Sequence, residues 1–162
     1  MTKELLKAPD LDIEKWLNTE SNLSLERLKG KVIFMFAFQM LCPGCVEHCI
    51  PQAKKVHALF KQYDLAIIGI HTVFEHHEAM QEASLKAFIH EYRITFPVAI
   101  DKPSENPNSP VPNTMNSYQM RGTPSLVLID KTGHIRKHKM GQEEDLVLGA
   151  EIMTLLNEAI NT

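Results

Sequence analysis

Val32-Ile33-Phe34-Met35-Phe36-Ala37-Phe38-Gln39-Met40-Leu41-Cys42-Pro43-Gly44-Cys45 sets seven unbroken apolar residues ahead of two thiols spaced two residues apart. An apolar run of that length reads as a central strand buried on both faces. Pro43 suits the first turn of a helix, so Cys42 falls at a strand-to-helix junction. Free N–H groups and the positive end of the helix dipole favour a thiolate there, and the thiolate is the species that attacks disulfides or peroxides. Cys42 is therefore the expected nucleophile and Cys45 its partner in a disulfide that opens and closes without rebuilding the fold.

The chain has 162 residues, 44% of them hydrophobic, which suffices for one sizeable core. A single domain spanning residues 1–162 is expected, with 1–28 as an N-terminal extension packed on the core. A formal charge of −3 leaves no basic stripe for nucleic acid, and no apolar run of about 18 residues is present to cross a bilayer. The opening Met1 to Asp10 lacks the apolar segment of a secretory signal, which points to the cytoplasm. All three cysteines fall between Cys42 and Cys49. They cannot staple distant segments and so belong to one site.

Outward from the first strand, the pattern alternates helix and strand. Ile13, Trp16 and Leu17 predict an amphipathic helix over 12–18, and Lys29-Gly30-Lys31 a turn into the Val32 strand. Val46, Cys49, Ile50, Ala53, Val56 and Phe60 predict a helix from Pro43 to about Gln62, kinked at Pro51. Leu65 to Ile70 reads as a second buried strand, parallel to the first through a right-handed crossover. Leu85, Phe88, Ile89 and Tyr92 mark another helix, followed by a strand over Phe96 to Ile100. A Pro/Asn/Ser-rich loop, Lys102 to Asn113, precedes a short helix at Asn113 to Gln119. Ser125 to Ile129 and His134 to Met140 predict an edge hairpin. Two apolar stripes, one on Leu146 and Ala150 and one on Leu148 and Ile152, predict a last helix lying flat on the sheet from Glu143 to Ile160.

This order, with CxxC after the first central strand and Arg121-Gly122-Thr123-Pro124 before a hairpin strand, resembles the thioredoxin superfamily over roughly Lys29 to Ile160. The helix and strand from Ala79 to Ile100 resemble the insertion of its TlpA/redoxin and AhpC/TSA-like branch. So do Leu28-Lys29-Gly30-Lys31-Val32, Phe96-Pro97-Val98 with Asp101, and Leu128-Ile129-Asp130 with Gly133. The resemblance implies an α/β fold, a central mixed sheet flanked by helices. It also implies a cis peptide bond before Pro124, facing the cysteines, where the backbone of Thr123 pairs with an incoming substrate strand. Leu41, Pro43 and Gly44 would complete the substrate-facing surface. Considered without the resemblance, Pro124 is a turn proline before a strand.

Two departures from the family matter. Leu41 replaces the usual aromatic before the first cysteine, and Phe36 stands where thioredoxins bury an aspartate. Proton transfer to the second thiol then needs another group, with Glu47, His48 or a water as candidates against the plainer reading of two solvated residues. Cys49, one turn beyond Cys45, reads as a buried structural cysteine, with a third redox thiol or a metal ligand beside His48 as alternatives. His71-Thr72-Val73-Phe74-Glu75-His76-His77 follows the second parallel strand at the sheet edge that carries Cys42. It is either a substrate- or proton-handling loop, His71 foremost, or a solvated connection.

Three functions compete. The leading one is a thiol–disulfide oxidoreductase whose Cys42 forms a mixed disulfide that Cys45 resolves. It would need no metal and no cofactor beyond the Cys42–Cys45 disulfide, and would exchange electrons with protein disulfides or dithiols and an upstream reductant or oxidant. The second is a peroxiredoxin-like peroxidase using Cys42, disfavoured because the Pro-x-x-x-Thr-x-x-Cys pattern is replaced by Met35 and Gln39. The third is a thioredoxin-like binding or metal-holding module without turnover.

Overall fold

The computed structural model describes residues 4–160. Met1 to Lys3, part of the stretch read for a signal, and the last two residues of the expected domain lie outside the described residues. Every residue of β2 (Val32–Phe38) is buried, which demands neighbours on both edges and cover on both faces. On one edge it pairs in parallel with β3 (Leu65–His71), from Val32 opposite Leu65 to Phe38 opposite His71. On the other it pairs antiparallel with β5 (Ser125–Ile129). β4 (Val98–Asp101) lies parallel beside β3, and β6 (Ile135–Met140) antiparallel beside β5. With β1 (Ile13–Leu17) outermost beside β4, the order is β1-β4-β3-β2-β5-β6.

Successive strand residues face opposite sides, and β2 feeds two cores accordingly. Phe34, Phe36 and Phe38 join a cluster with Ile50, Ala53, Val56, Leu85, Leu148, Ile152 and Leu155. These come from α1 (Ile50–Leu59), α2 (Glu82–Glu91) and α4 (Asp145–Asn157). Ile33, Met35 and Ala37 meet Met115 of α3 (Asn113–Ser117) and Tyr118 on the opposite side.

The helix expected over 12–18 is a strand. β1 pairs with β4 with an irregularity between Ile13 and Lys15, and a bulge adds one residue to the two-residue repeat. Ile13 and Trp16, three apart, therefore pack into one cluster while Leu17 packs into the other, a spacing that imitates a helix. The disturbance expected at Pro51 takes the form of a π turn at Cys45–Cys49, in which the Ile50 N–H bonds the Cys45 carbonyl five residues back. Pro51 has no N–H for Glu47, and its ring would press on that carbonyl; the widened turn relieves both.

Two smaller corrections concern helix faces. α4 buries Leu148, Ile152 and Leu155, but Leu146 of the other stripe is 88% exposed, so one stripe carries the packing. Tyr92 is 40% exposed and stacks on Phe88 at 4.3 Å instead of entering the core. At the β5–β6 turn, Gly133 has φ +88, a conformation open chiefly to glycine. No helix of the described residues is long and apolar enough to cross a membrane.

Candidate active site

β2 delivers the dithiol. Beyond Phe38 the chain folds back, the Cys42 N–H bonding the Gln39 carbonyl at 3.2 Å, and the first helical turn begins with the Cys45 and Val46 N–H groups on the Cys42 carbonyl, both at 3.1 Å. The same Cys45 N–H also lies 3.3 Å from the Cys42 sulfur. Cys42, Cys45 and Cys49 are all free thiols; Cys42 is half-buried and Cys45 buried. Burial first, and the neighbouring Cys42 next, push the Cys45 thiol up to about 12. The two thiols are thus unequal: one reachable, one held protonated.

β5 delivers the opposite wall. The Thr123–Pro124 peptide is cis, and the Cys42 thiol donates to the Thr123 carbonyl at 3.4 Å. Pro124 lies over the Pro43-Gly44 turn, since a Cβ placed on Gly44 would meet Pro124 Cδ at 3.5 Å. Leu41, 58% exposed, forms an apolar rim beside Cys42.

A third wall comes from the segment after β3, and Gln39 joins it to the other two. Gln39 is 1% exposed. Its Oε1 accepts the Phe74 N–H at 3.2 Å, while its Nε2 reaches Glu75 Oε1 at 3.4 Å and Thr123 Oγ1 at 3.5 Å. Sequence reasoning singled out Gln39 only as a residue that was not threonine. The available signal was a carboxamide directly after seven apolar residues, since a buried amide must find partners.

The auxiliary candidates divide. His71 is buried beside the dithiol segment, its Nε2 accepting the Met40 N–H at 3.3 Å. Burial holds its pKa down at about 4, so the ring is neutral. Glu47 and His48 are exposed, pair with each other at 3.9 Å and line a groove with Gln142 to Val147. They occupy the outer side of the π turn, in keeping with the plainer reading of two solvated residues. Cys49 is half-buried and packs against the β2 cluster, where burial pushes its thiol well up. That agrees with a structural cysteine, although its burial is incomplete. Phe36 is fully buried, edge-on to Phe96 at 5.6 Å. Among the described residues no group of three or more His, Cys, Asp or Glu is arranged to hold a metal ion.

The AhpC/TSA family model matches residues 6–138, a span that includes the dithiol and the Thr123–Pro124 peptide. The chain belongs to the AhpC/TSA family. Within the thioredoxin-like fold of that family, it is 58% identical to a thioredoxin-like superfamily protein of known crystal structure, with a TM-score of 0.91 over 96% of this chain and 99% of that one. It is 47% identical to a thiol-disulfide isomerase from Corynebacterium glutamicum, with a TM-score of 0.87 over 94% and 98% of the two chains. Protein DipZ of Mycobacterium bovis is 32% identical over 155 residues, which cover 94% of this AhpC/TSA chain and 21% of DipZ. The chain thus spans about a fifth of the length of that curated relative. These likenesses agree with the TlpA/redoxin branch that the sequence motifs resemble.

Proposed function

We propose that this chain is a thiol–disulfide oxidoreductase acting on protein disulfides or dithiols, with Cys42 as nucleophile and Cys45 as resolving thiol. The observation that carries the proposal is the meeting of Cys42 Sγ with the Thr123 carbonyl at 3.4 Å and with the Cys45 N–H at 3.3 Å. One contact sets the sulfur against backbone able to pair with an extended substrate; the other stabilises negative charge on it.

In the reducing direction, Cys42 thiolate attacks one sulfur of a substrate disulfide. The substrate S–S bond breaks, a Cys42–substrate bond forms, and the departing sulfur takes up a proton. Cys45 then loses its proton and attacks the Cys42 sulfur, releasing the second substrate thiol. The substrate gains two electrons, the enzyme is left with a Cys42–Cys45 disulfide, and an upstream dithiol restores it; the reverse sequence oxidises a substrate dithiol.

The partly exposed Cys42 beside a buried Cys45 supports this order of attack, and the isomerase that is 47% identical supports the substrate class. A peroxidase reading draws no support from position 39, where a buried carboxamide is engaged by Phe74 and Thr123. The test compares wild type with Cys42→Ser, Cys45→Ser and Cys49→Ser for reduction of a protein disulfide and for peroxide consumption. The proposal expects Cys42→Ser to be inactive, Cys45→Ser to accumulate a mixed disulfide, and Cys49→Ser to stay active. Disulfide exchange surviving in Cys42→Ser, or peroxide consumed faster than disulfide, overturns it. The cytoplasmic location expected from the sequence belongs to the same proposal, and cell fractionation checks it.

A further inference from the structure

The parallel ladder of β2 and β3 ends with Phe38 opposite His71, extended by one bond from the Thr72 N–H to the Phe38 carbonyl at 3.1 Å. Beyond it the chain turns toward the dithiol, and Met40, 8% exposed, brings an N–H that the ladder no longer serves. A buried donor left without an acceptor is costly. His71 Nε2 meets it at 3.3 Å. The ring is 2% exposed and packs against Phe38 with centroids 5.2 Å apart, so it has little freedom to leave.

We propose that His71 is a positioning residue for the dithiol: by accepting the Met40 N–H it anchors the turn from Gln39 to Cys42, and so holds the Cys42 sulfur against the Cys45 N–H. The consequence for turnover rests on the oxidoreductase reading above; the consequence for Cys42 itself does not.

Acceptance at Nε2 requires a lone pair there, which in a neutral ring leaves the proton on Nδ1. The ring's other side borders a cavity of about 510 Å³. The titratable groups facing it are Glu14 and Lys15 of β1, His77 of the following loop, Glu82 of α2 and Asp101 of β4. Lys15 is paired with Glu82 at 2.6 Å, and Asp101 accepts the Thr114 and Met115 N–H groups at 2.8 and 2.9 Å. Burial disfavours the charged imidazolium and keeps the acceptor available down to about pH 4. A ring that stays neutral down to about pH 4 does not relay protons by titrating near neutral pH, which separates this role from the proton-handling reading of the loop.

Three variants of the full chain test the proposal. H71F keeps a ring against Phe38 without an acceptor. H71Q offers a carbonyl at about the reach of Nε2. H71N offers one at the shorter reach of Nδ1, and so keeps a polar side chain without the right geometry. Each is measured for the pH dependence of Cys42 alkylation and thiolate absorbance, and for its dithiol equilibrium with glutathione. H71F and H71N should lower the thiolate absorbance and slow the alkylation of Cys42 at neutral pH by about fivefold. Less stabilisation of the thiolate disfavours the reduced form, so the potential should move about 20 mV more negative, the same fivefold change for a two-electron couple. H71Q should stay within about twofold of wild type.

Wild-type alkylation and potential in H71F and H71N overturn the proposal. So does H71Q falling as far as they do, which would reduce His71 to packing. If H71F does not fold, the contrast between H71N and H71Q still decides. Absence of disulfide exchange in wild type, with the alkylation pattern intact, would remove the oxidoreductase reading and leave the positioning role standing.

Discussion

Cys42 Sγ and the carbonyl oxygen of Thr123, 81 residues apart in the chain, lie 3.4 Å from each other where the segment after β2 meets the segment before β5. The contact places the half-buried thiol at the carbonyl of the cis Thr123–Pro124 peptide. A substrate strand pairing with that backbone would bring its sulfur to Cys42, which makes reachability of the thiol a measurable quantity.

Alkylation should discriminate sharply among the three thiols. Cys45 is buried with its thiol pushed up to about 12, and Cys49 is pushed well up in its apolar surroundings. A thiol reacts through its thiolate. Limiting iodoacetamide on the reduced protein near neutral pH should label Cys42 at least about tenfold faster than either of the others, as read by peptide mass spectrometry. Comparable labelling of Cys45 would contradict the inequality of the two thiols.

Gln39→Leu preserves bulk and removes the carboxamide. The Phe74 N–H then loses its acceptor, and the links to Glu75 and Thr123 go with it. A stability loss of about 1–3 kcal/mol is expected from the unpaired donor. The segments after β3 and before β5 that Gln39 ties to the dithiol should also loosen, raising KM for a protein disulfide more than it lowers kcat. Urea unfolding and steady-state kinetics on one preparation check both.

Gly69 sits in β3 opposite Phe36, and a Cβ there would lie 3.0 Å from Phe36 Cζ and 3.3 Å from Phe38 Cε1. Both rings are fully buried and cannot swing into solvent. Gly69→Ala should therefore destabilise by about 1–3 kcal/mol, seen as a lowered denaturation midpoint. An unchanged midpoint would mean that the ring stack yields more easily than its burial suggests.

Glu143 holds Lys137, and Lys139 at 3.1 Å. The Lys137 hydrogen bond is the chief cause of a carboxyl pKa drawn down to about 2. A carboxylate with a depressed folded pKa stabilises the fold above its ordinary range, near about 4.3, and that contribution is lost as pH falls toward the folded value. Glu143→Gln should cost roughly 1 kcal/mol at neutral pH: the carboxylate is buried, but its partner Lys139 is exposed, and water screens that part of the attraction. The difference from wild type should shrink between about pH 4 and pH 2. Thermal melts across that interval check the sign.

Much of the α/β order was legible because buried parallel strands are long apolar runs. Val32 to Phe38 and Leu65 to Ile70 needed no partner to be recognised, and their core faces follow from alternation alone. The segment Ile13 to Leu17 was misread because its bulge is a property of pairing with β4. Local spacing carries no trace of the partner strand that absorbs the extra residue. The same limit applies to Pro51. A proline at that position announces a disturbed helix, while its form, a π turn through Cys45 to Cys49, shows only in the hydrogen bonding of the folded chain.

The site divides along the same line. The amino-acid sequence by itself determined the chemistry: two thiols at a strand-to-helix junction, a distant Thr123-Pro124, and no carboxylate at position 36. Those are covalent facts of side-chain type and spacing. Only the tertiary structure decided which groups serve that chemistry. It turned Glu47 and His48 outward, buried His71 as a neutral acceptor for the Met40 N–H, and made Gln39 the joint of three walls. The reason is physical: hydrogen-bond acceptance and desolvation depend on which distant segments the sheet brings together.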